Sequence, residues 1–502
     1  MEIGKPLKQV VIVGGGITGM TAAFYAGRYA AEAGIPLGIT VLEKSERLGG
    51  KIHTLRKNGF TIEKGADSFL TRKLPMIELA RDLGLEDELV GQGSRGKRAY
   101  FLHRGRFQPA PSGMVLGIPT DLAAFMETEL VSPEGKARAL EDLALPKRED
   151  GSDESLGGFL ERRLGAELVA NVAEPLLAGI YAGDLYELSL EATFPQFKEA
   201  EQRYDSVIQG MQAAQANANA QPANAANAAN EPKAAAGSAF LSYGKGLGTV
   251  IEGLEQAVAA AGGTILRETF AVRIEKLPEP AAPGQAAYCV HLNQGDCLEA
   301  DAVIVTLPAY EYPGLLPQLP GLVKLAEMPY ISVANVVLAF NEADIPPSFE
   351  GSGFVISRKE GRFITACTRT SLKWENTAPA GKALLRCYVG RAGDEDWVKL
   401  SDEEIVARVR GEVRELLGVA AEPLFHEVTR LYRSMPNYPV GHLQNIQAAR
   451  EELAGAMPGV LLTGASFHGV GLPDCVRQGR ETAETAVLLL HKQAAAAGSA
   501  QG

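Results

Sequence analysis

A glycine-rich segment near the start of the chain has the spacing of a phosphate-binding turn. Residues 14–19 read GGGITG, which contains the pattern GxGxxG at the junction of a predicted strand and a predicted helix. Glycines at this spacing allow a tight turn, close approach to a pyrophosphate and close helix–strand packing, and the helix N-terminus adds amide donors. Glu43 ends the next predicted strand, where a carboxylate accepts hydrogen bonds from ribose hydroxyls. The pattern predicts a dinucleotide site, with an ordinary glycine-rich turn as the alternative.

A second glycine-rich segment opens a helix close to the C-terminus. Residues 464–475 read GASFHGVGLPDC, and an apolar helical pattern follows at 476–492. A nicotinamide dehydrogenase does not need a second helix start so late in the chain. A flavoprotein does, because a helix N-terminus can stabilise the negative charge that builds up on the isoalloxazine ring during reduction. The two segments together favour a flavin dinucleotide.

Two longer motifs carry a resemblance to a known family. Residues 65–73 read GADSFLTRK, and residues 464–484 read GASFHGVGLPDCVRQGRETAE. Together with GGGITG and Glu43, these motifs resemble the flavin amine-oxidase superfamily and, within it, the porphyrinogen oxidases, especially the bacterial type that forms coproporphyrin III. The resemblance covers nearly the whole chain apart from an Ala/Asn-rich tract.

The resemblance implies a noncovalent FAD and a set of residues that bind it. Val272 matches a position whose backbone meets the adenine. Lys51 stands where amine oxidases commonly have an arginine. A lysine contacts phosphate as a point charge, without the forked pair of N–H donors of an arginine guanidinium. The implied cofactor-binding residues are Gly14, Gly15, Gly16, Ile17, Thr18, Gly19, Glu43, Lys44, Lys51, Gly65, Ala66, Asp67, Ser68, Val272, Val470, Gly471 and Leu472.

The resemblance also implies the reaction. A porphyrinogen methylene bridge gives hydride to flavin N5, three rounds remove six hydrogens, and dioxygen reoxidises the flavin to give peroxide. The implied partners are coproporphyrinogen III or protoporphyrinogen IX, dioxygen and neighbouring enzymes of haem biosynthesis. No catalytic side chain is implied, because the cofactor carries the chemistry. The alternatives are an amine oxidase or desaturase-like flavoenzyme on the same fold, and a non-catalytic flavin or tetrapyrrole carrier.

Three residues are candidates for substrate binding. Arg98 lies in KRAYFLHRGRFQPAP, which resembles a segment whose arginine pairs with a substrate propionate; an ordinary surface arginine is the alternative. Ser352 and Val355 lie in GSGFVI, which resembles a strand lining the tetrapyrrole cavity; an ordinary half-buried strand is the alternative. In the C-terminal motif, His468 is interpreted as a packing histidine or a proton relay, and Cys475 as a packing residue.

Hydrophobic periodicity indicates how these motifs are positioned. The pattern predicts an α/β fold: a discontinuous Rossmann-like FAD-binding domain with an α+β substrate-binding domain and a helical lobe. The predicted boundaries are 1–95, 240–310 and 451–493 for the FAD-binding domain, 96–212 for the helical lobe, 213–236 for a disordered insertion, 311–450 for the substrate-binding domain and 494–502 for a flexible tail. The insertion consists largely of Ala and Asn, which cannot bury enough apolar surface to offset ordering.

Composition excludes several classes of protein. The chain has 49 Lys and Arg against 61 Asp and Glu, a net charge of −12, which argues against nucleic-acid binding. Five cysteines without a CxxC pair argue against a disulfide scaffold or a zinc site, so no metal is expected. No apolar run reaches the ~20 residues that span a bilayer, and no signal peptide is expected. The predicted location is cytoplasmic, with peripheral membrane contact as an addition. Residues 115–170 carry 12 acids and 6 bases, a charge that disfavours electrostatic anchoring to anionic lipid.

Overall fold

The computed structural model describes residues 7–96, 98–220, 234, 237–278, 286–346 and 351–499. Within them, three bodies of structure surround a common interior: a parallel sheet with its helices, a seven-stranded sheet and a group of short helices.

The parallel sheet is assembled from four distant parts of the chain. Its strands, in the spatial order β12-β2-β1-β16-β22, are β1 (Lys8–Val13), β2 (Leu37–Leu42), β12 (Thr264–Leu266), β16 (Ala302–Val305) and β22 (Val460–Leu462). Alternate residues of β1 pack into two different hydrophobic clusters, Val11 and Val13 in one and Val10 and Ile12 in the other. The sheet is therefore buried on both faces, as a parallel sheet requires. This arrangement confirms the predicted discontinuous Rossmann-like domain.

The helices on this sheet come from both ends of the chain. Helix α1 (Ile17–Glu32) packs against the C-terminal helix α17 (Leu472–Ser499). Gly479 is required at their contact, because a Cβ atom there would lie 2.5 Å from the Thr18 carbonyl oxygen. The helix continues through the Ala-rich residues 494–499, which were predicted to be a flexible tail; alanine has the highest helix propensity, and this favours the continuation. Residues 500–502 lie outside the described residues.

The seven-stranded sheet forms the opposite wall of the interior. Its spatial order is β21-β17-β20-β19-β18-β7-β8. Its strands are β7 (Ala99–His103), β8 (Arg106–Pro109), β17 (Tyr330–Asn341), β18 (Gly353–Ile356), β19 (Ile364–Arg369), β20 (Lys382–Val389) and β21 (Phe425–Pro436). The prediction that residues 96–212 form one helical lobe is therefore wrong at its start. β7 pairs in parallel with β18, a partner about 250 residues away that local periodicity cannot indicate.

The helical lobe follows these two strands. Its helices are α3 (Leu122–Glu127), α4 (Pro133–Leu140), α5 (Leu156–Leu164), α6 (Ala166–Leu168), α7 (Glu174–Tyr181), α8 (Leu190–Thr193), α9 (Pro195–Tyr204) and α10 (Val207–Ala220). Arg163 is fully buried at its centre and donates hydrogen bonds to the Asp142 carboxylate and to the carbonyl oxygens of Pro146 and Asp205. Helix α10 extends to residue 220, so residues 213–220 of the predicted disordered insertion are helical. Of its remainder the structure describes only residue 234.

The remaining elements connect these bodies. The strands are β3 (Thr54–Lys57), β4 (Phe60–Glu63), β5 (Phe69–Leu70), β6 (Leu89–Gly91), β9 (Met114–Val115), β10 (Ile118–Pro119), β11 (Phe240–Tyr243), β13 (Ala271–Lys276), β14 (Tyr288–Leu292) and β15 (Cys297–Ala300). The helices are α2 (Pro75–Asp82), α11 (Gly248–Ala260), α12 (Tyr312–Leu315), α13 (Val323–Ala326), α14 (Thr370–Lys373), α15 (Asp402–Leu417) and α16 (His442–Ala456). A disulfide joins Cys289 to Cys297 across the β14–β15 hairpin. This bond is one local crosslink within a hairpin, whereas the prediction from the cysteine pattern concerned a disulfide scaffold. None of the helices that the structure describes has the length and apolar character needed to cross a membrane.

Candidate functional site

A large cavity lies between the parallel sheet, the seven-stranded sheet and the helical lobe. Its volume is about 2070 Å³, whereas pockets for one drug-sized ligand occupy roughly 300–1,000 Å³. We call one part of its lining the cofactor wall, which comprises Gly14, Gly16, Ile17, Thr18, Glu43, Gly49, Gly50, Lys51, Ile52, Gly65, Ala66, Asp67, Ser68, Val470, Gly471 and Leu472. We call another part the apolar wall, which comprises Leu116, Leu176, Phe194, Phe354, Val355, Ile356 and Leu443.

The three glycines of GxGxxG have three separate functions. Gly14 has a φ angle of +111°, which a residue with a side chain rarely adopts, and it makes the turn out of β1. A Cβ atom at Gly19 would lie 1.9 Å from the Gly14 carbonyl oxygen, so this glycine permits the close packing of helix on strand. A Cβ atom at Gly16 would meet no protein atom within 4 Å, and Gly16 lines the cavity. The open space at Gly16 is where a ligand can approach the backbone.

Glu43 is held at the cavity by the same turn. Its Oε2 accepts a hydrogen bond from the Gly15 amide at 2.9 Å, and its Oε1 accepts from the amide and hydroxyl of Ser45 at 2.8 and 2.7 Å. Gly15 does not line the cavity; a Cβ atom there would lie 2.9 Å from Glu43 Oε2, so Gly15 contacts the carboxylate, and its contact with a cofactor remains a prediction. The Oε2 atom accepts only one of these hydrogen bonds and therefore retains acceptor capacity for a ribose hydroxyl.

Lys51 and Gly65 bring the next two segments together. A Cβ atom at Gly65 would lie 1.8 Å from the Lys51 carbonyl oxygen, so the two backbones touch only because Gly65 has no side chain. The Lys51 ammonium donates a hydrogen bond to the Ser434 carbonyl oxygen. Desolvation lowers the pKa of Lys51.

Asp67 lies between two cations contributed by the other side of the cavity. Its Oδ2 is 3.1 Å from the Lys373 ammonium and 3.6 Å from Arg386 Nη1, and Ser68 donates a 2.6 Å hydrogen bond to Oδ1. Arg386 also donates to the Gly65 carbonyl oxygen. Burial opposes ionisation of Asp67, but the charges of Lys373 and Arg386 outweigh it and hold the pKa of Asp67 well below its usual range. The motif GADSF is thus fixed to strand β20.

A buried Tyr–His pair supports the C-terminal glycine loop, which we define as residues 464–471. The Tyr438 hydroxyl donates to the Ala465 carbonyl oxygen at 2.6 Å and accepts from the Gly469 amide at 3.2 Å. The His442 ring stacks on Tyr438, and its Nε2 lies 3.2 Å from the Phe467 carbonyl oxygen. Burial lowers the pKa of His442 to about 4, so a neutral imidazole donates to this carbonyl at pH 7.

Two further residues of this motif line the cavity. Burial raises the pKa of the Cys475 thiol to about 11, which keeps the thiol in its neutral, unreactive form. His468 is half-buried; desolvation, followed by the charges of Arg450 and Arg477, lowers its pKa. His468 is therefore also neutral at pH 7, and its packing and proton-relay interpretations both remain predictions.

Lys44 and Val272, two predicted cofactor-binding residues, lie outside the cavity lining. Lys44 is exposed, with its ammonium 5.2 Å from the centre of the Phe270 ring. Val272 is 45% exposed; its strand follows Thr269, whose amide donates to the Glu43 carbonyl oxygen. Lys44 and Val272 therefore sit near the Glu43 end of the cofactor wall, and their contacts with a cofactor remain predictions.

The prediction for Arg98 is not supported by the position of its side chain. The Arg98 side chain is exposed and does not line the cavity, while its carbonyl oxygen accepts hydrogen bonds from the Ser352 amide and hydroxyl at 2.8 and 3.1 Å. Arg98 directly precedes strand β7, and the sequence motif alone does not indicate which way its side chain is directed. Ser352 and Val355 both line the cavity, and their contact with a substrate remains a prediction.

The cofactor wall fits a dinucleotide. It offers the N-terminus of α1, a glycine whose missing side chain leaves open space, a carboxylate at the end of β2 and the Lys51 ammonium, all on one continuous cavity. The model for flavin containing amine oxidoreductases matches residues 17–487. The chain belongs to this family. Family membership supports a flavin as the cofactor of this chain.

Two relatives and one solved structure are similar over nearly their whole lengths. The coproporphyrinogen III oxidase of Bacillus subtilis (strain 168) is 44% identical over 490 residues, covering 98% of this chain and 100% of the relative. The coproporphyrinogen III oxidase of Staphylococcus aureus (strain NCTC 8325 / PS 47) is 39% identical over 483 residues, covering 96% and 99%. A crystal structure from Exiguobacterium sp. 255-15 has 37% identity and a TM-score of 0.81, covering 96% and 99%. Within the flavin family, the chain thus groups with the porphyrinogen oxidases.

The sequence motifs did not identify several residues that line the cavity. Lys373, Arg386 and Arg391 line the cavity, and Tyr330 forms a 2.7 Å hydrogen bond with Ser466 of the C-terminal glycine loop. Arg386 did leave a signal, because a charged residue interrupts the apolar strand ALLRCYV. A charge inside an apolar strand indicates a paired or ligand-binding group.

The buried carboxyl group of Glu63, which lies just before the motif GADSF, makes the free energy of unfolding depend on pH. Glu63 precedes this motif and accepts hydrogen bonds from the Leu247 amide at 2.7 Å and from the Thr54 hydroxyl. Burial raises its pKa to about 7, although these hydrogen bonds lower it. The folded protein therefore retains a proton that the unfolded chain loses above pH ~4.5. The contribution of Glu63 to the free energy of unfolding is therefore fully present below pH ~4.5 and is lost as pH rises through about 7.

We expect Glu63→Gln to flatten this part of the pH profile. Between pH 5 and pH 8, the free energy of unfolding of the wild type should fall by an additional 1–3 kcal/mol or so relative to the variant. Urea unfolding at several pH values measures the difference, and the exposed Glu252→Gln provides the control because its carboxylate is 54% exposed. Parallel pH profiles for the wild type and Glu63→Gln would contradict the assignment.

Proposed function

We propose that the chain binds FAD noncovalently and oxidises coproporphyrinogen III to coproporphyrin III in haem biosynthesis. The reaction removes six electrons and six hydrogens, and three dioxygen molecules accept them to form three hydrogen peroxide molecules. Protoporphyrinogen IX is a second, poorer substrate. The observation that carries the proposal is the similarity to a coproporphyrinogen III oxidase along the whole length of that relative.

The cavity is suited to this pair of ligands. Its volume exceeds that of a single-ligand pocket, so a second large molecule has room beside the dinucleotide. The apolar wall matches the hydrophobic faces of a tetrapyrrole ring and excludes water from them. When bound, the FAD would supply a hydride acceptor, and the protein positions the two ligands.

The residues of the chain have distinct tasks in this proposal. The α1 amides and Glu43 hold the pyrophosphate and ribose parts of the FAD. Helix α17 begins at Leu472, directly after two residues of the cofactor wall, so its positive end stabilises negative charge arising at the reduced cofactor. Lys73 lines the cavity and forms a 2.6 Å ion pair with Asp474 in the first turn of that helix.

The basic residues near the motif GADSF divide into two groups. Arg72 and Lys73 line the cavity; Lys73 is already paired with Asp474, so Arg72 is the one available to a substrate carboxylate. Arg104 and Arg106 lie in the β7–β8 hairpin, outside the cavity lining, and do not contribute to the selection of a tetracarboxylate.

A direct assay tests the proposed function. Purified flavin-loaded protein should convert coproporphyrinogen III under air into fluorescent coproporphyrin III with about three peroxides per porphyrin, and with a higher kcat/KM than for protoporphyrinogen IX. Protein stripped of flavin is the matched control and should be inactive. A loaded protein that oxidises neither porphyrinogen but turns over a primary amine would replace this proposal with amine oxidation. Equal or reversed efficiencies for the two porphyrinogens would contradict the substrate preference.

A further inference from the structure

Arg391 is a buried cation in the cavity lining whose guanidinium has no hydrogen-bond partner among the residues that the structure describes. It follows strand β20, and its side chain is only 9% exposed. Its Nε is completely buried without a hydrogen-bond partner, and its guanidinium donates no hydrogen bond to any residue that the structure describes. An arginine offers five N–H donors in a planar fork, so this side chain has a large unused capacity for an acceptor.

The surrounding carboxylates do not use this capacity. The closest approach of Asp394 Oδ2 is 3.7 Å from Arg391 Nε, beyond hydrogen-bond distance, and Asp394 is half exposed. Glu174 also lines the cavity, but its Oε1 is turned towards Arg358, at 3.2 Å from Nε. Arg358 itself has a buried Nη2 without a hydrogen-bond partner. Two guanidinium groups thus have unsatisfied donors beside the same carboxylate.

This arrangement is energetically unfavourable unless a ligand completes it. A buried polar group without a partner costs about 1–3 kcal/mol, and a charged group costs more. Burial, and then the neighbouring charge of Arg358, lower the pKa of Arg391, as expected for a buried cation beside a second cation. A carboxylate is the anion whose two oxygens match the arginine fork.

We propose that Arg391 binds a carboxylate of the substrate and is a specificity-determining residue of the cavity. The proposal rests on the proposed function, because it takes the tetracarboxylate coproporphyrinogen III as the ligand. Leu176, from helix α7, is part of the apolar wall, and Val389 at the end of β20 also lines the cavity. A ring lying on this apolar surface with a propionate on its edge would satisfy Arg391.

Binding measurements separate this subsite from general packing. The probes are coproporphyrin III, which keeps the four carboxylates, and its tetramethyl ester, which has none. In the flavin-loaded Arg391→Gln variant, we expect the Kd for coproporphyrin III to rise at least tenfold and the Kd for the ester to change less than twofold. In turnover, KM should rise at least tenfold while kcat changes less than threefold. Arg391→Lys should lie between the two, since a lysine keeps the charge but not the fork.

The control is Arg410→Gln, which removes an arginine of helix α15 paired with Glu422, away from the cavity lining. It should match the wild type in every measurement. If Arg391→Gln retains flavin but binds the free acid within twofold of the wild type, the subsite is overturned while the proposed function stands. If Arg391→Gln does not fold, an unchanged Arg391→Lys variant overturns the subsite. If the wild type oxidises neither porphyrinogen, the proposed function is wrong, and the Kd ratios still decide the subsite. If the wild type does not bind coproporphyrin III at all, both the proposed function and the subsite are overturned.

Discussion

Gly16→Val should yield a folded protein that has lost its flavin. Gly16 has φ −70° and ψ 177°, an extended conformation that valine adopts without strain, and a Cβ atom there meets no protein atom within 4 Å. The added side chain would instead occupy the space over the N-terminus of α1, where a pyrophosphate approaches the backbone. We expect less than a tenth of the wild-type flavin content and a loss of porphyrinogen oxidation of at least a hundredfold. Absorbance of the purified protein and circular dichroism measure flavin and fold.

Two other glycines make the experiment specific. Gly411 lies within α15, outside the cavity lining, and likewise has nothing within 4 Å of a Cβ atom, so Gly411→Val should keep its flavin. Gly19→Val should fail for a different reason, because its Cβ atom would lie 1.9 Å from the Gly14 carbonyl oxygen and would disrupt the fold itself. A soluble Gly16→Val variant with stoichiometric flavin would refute the pyrophosphate site.

The sequence predicted those parts of the site in which chemistry and backbone geometry are local. The motif GxGxxG needs only one strand, one turn and one helix, and all three form as predicted at residues 14–19. The C-terminal motif also carries its own helix start at Leu472. Gly19 meets the Gly14 carbonyl oxygen, and Gly469 and Gly471 meet Asp474, so for these glycines the requirement is local and the pattern contained the necessary information.

The parts that the sequence did not predict depend on long-range pairing. Strand β7 belongs to the seven-stranded sheet only because it pairs with β18, and the same pairing directs Ser352 to the Arg98 carbonyl oxygen. Arg386 and Lys373 meet Asp67 from more than 300 residues away. Nothing in local periodicity identifies such partners. The extension of α10 to residue 220 has a different reason, because the high helix propensity of alanine favours a helix even where little apolar surface is buried.

Asp67 was predicted as a cofactor-binding residue, and the structure adds that it neutralises two buried cations. The Lys373 and Arg386 side chains are 16% and 4% exposed. Replacing the carboxylate by an amide leaves both charges without their counterion, and removing one partner of a buried ion pair costs about 3–5 kcal/mol. We expect Asp67→Asn to lower the free energy of unfolding by about 3 kcal/mol and to weaken flavin retention, because the variant loosens the segment Gly65–Ser68 from strand β20. Urea unfolding and flavin release during dialysis measure the two effects.

The control and the pH dependence identify the cause. Asp205→Asn makes the same exchange at a side chain that is 67% exposed and 3.3 Å from Lys147, where an ion pair contributes little, so its stability should match the wild type. The folded-state pKa of Asp67 is depressed, so its contribution is present above the unfolded-state pKa of ~3.9 and is lost as pH falls towards the folded-state value. The difference in the free energy of unfolding between wild type and Asp67→Asn should therefore be constant from pH 6 to 8 and shrink below pH ~4.

A double variant with Lys373→Met should recover part of the loss, because it removes one of the two charges that Asp67→Asn leaves without a counterion. A full, additive loss in the double variant would show that Asp67 stabilises the fold by packing and not by charge.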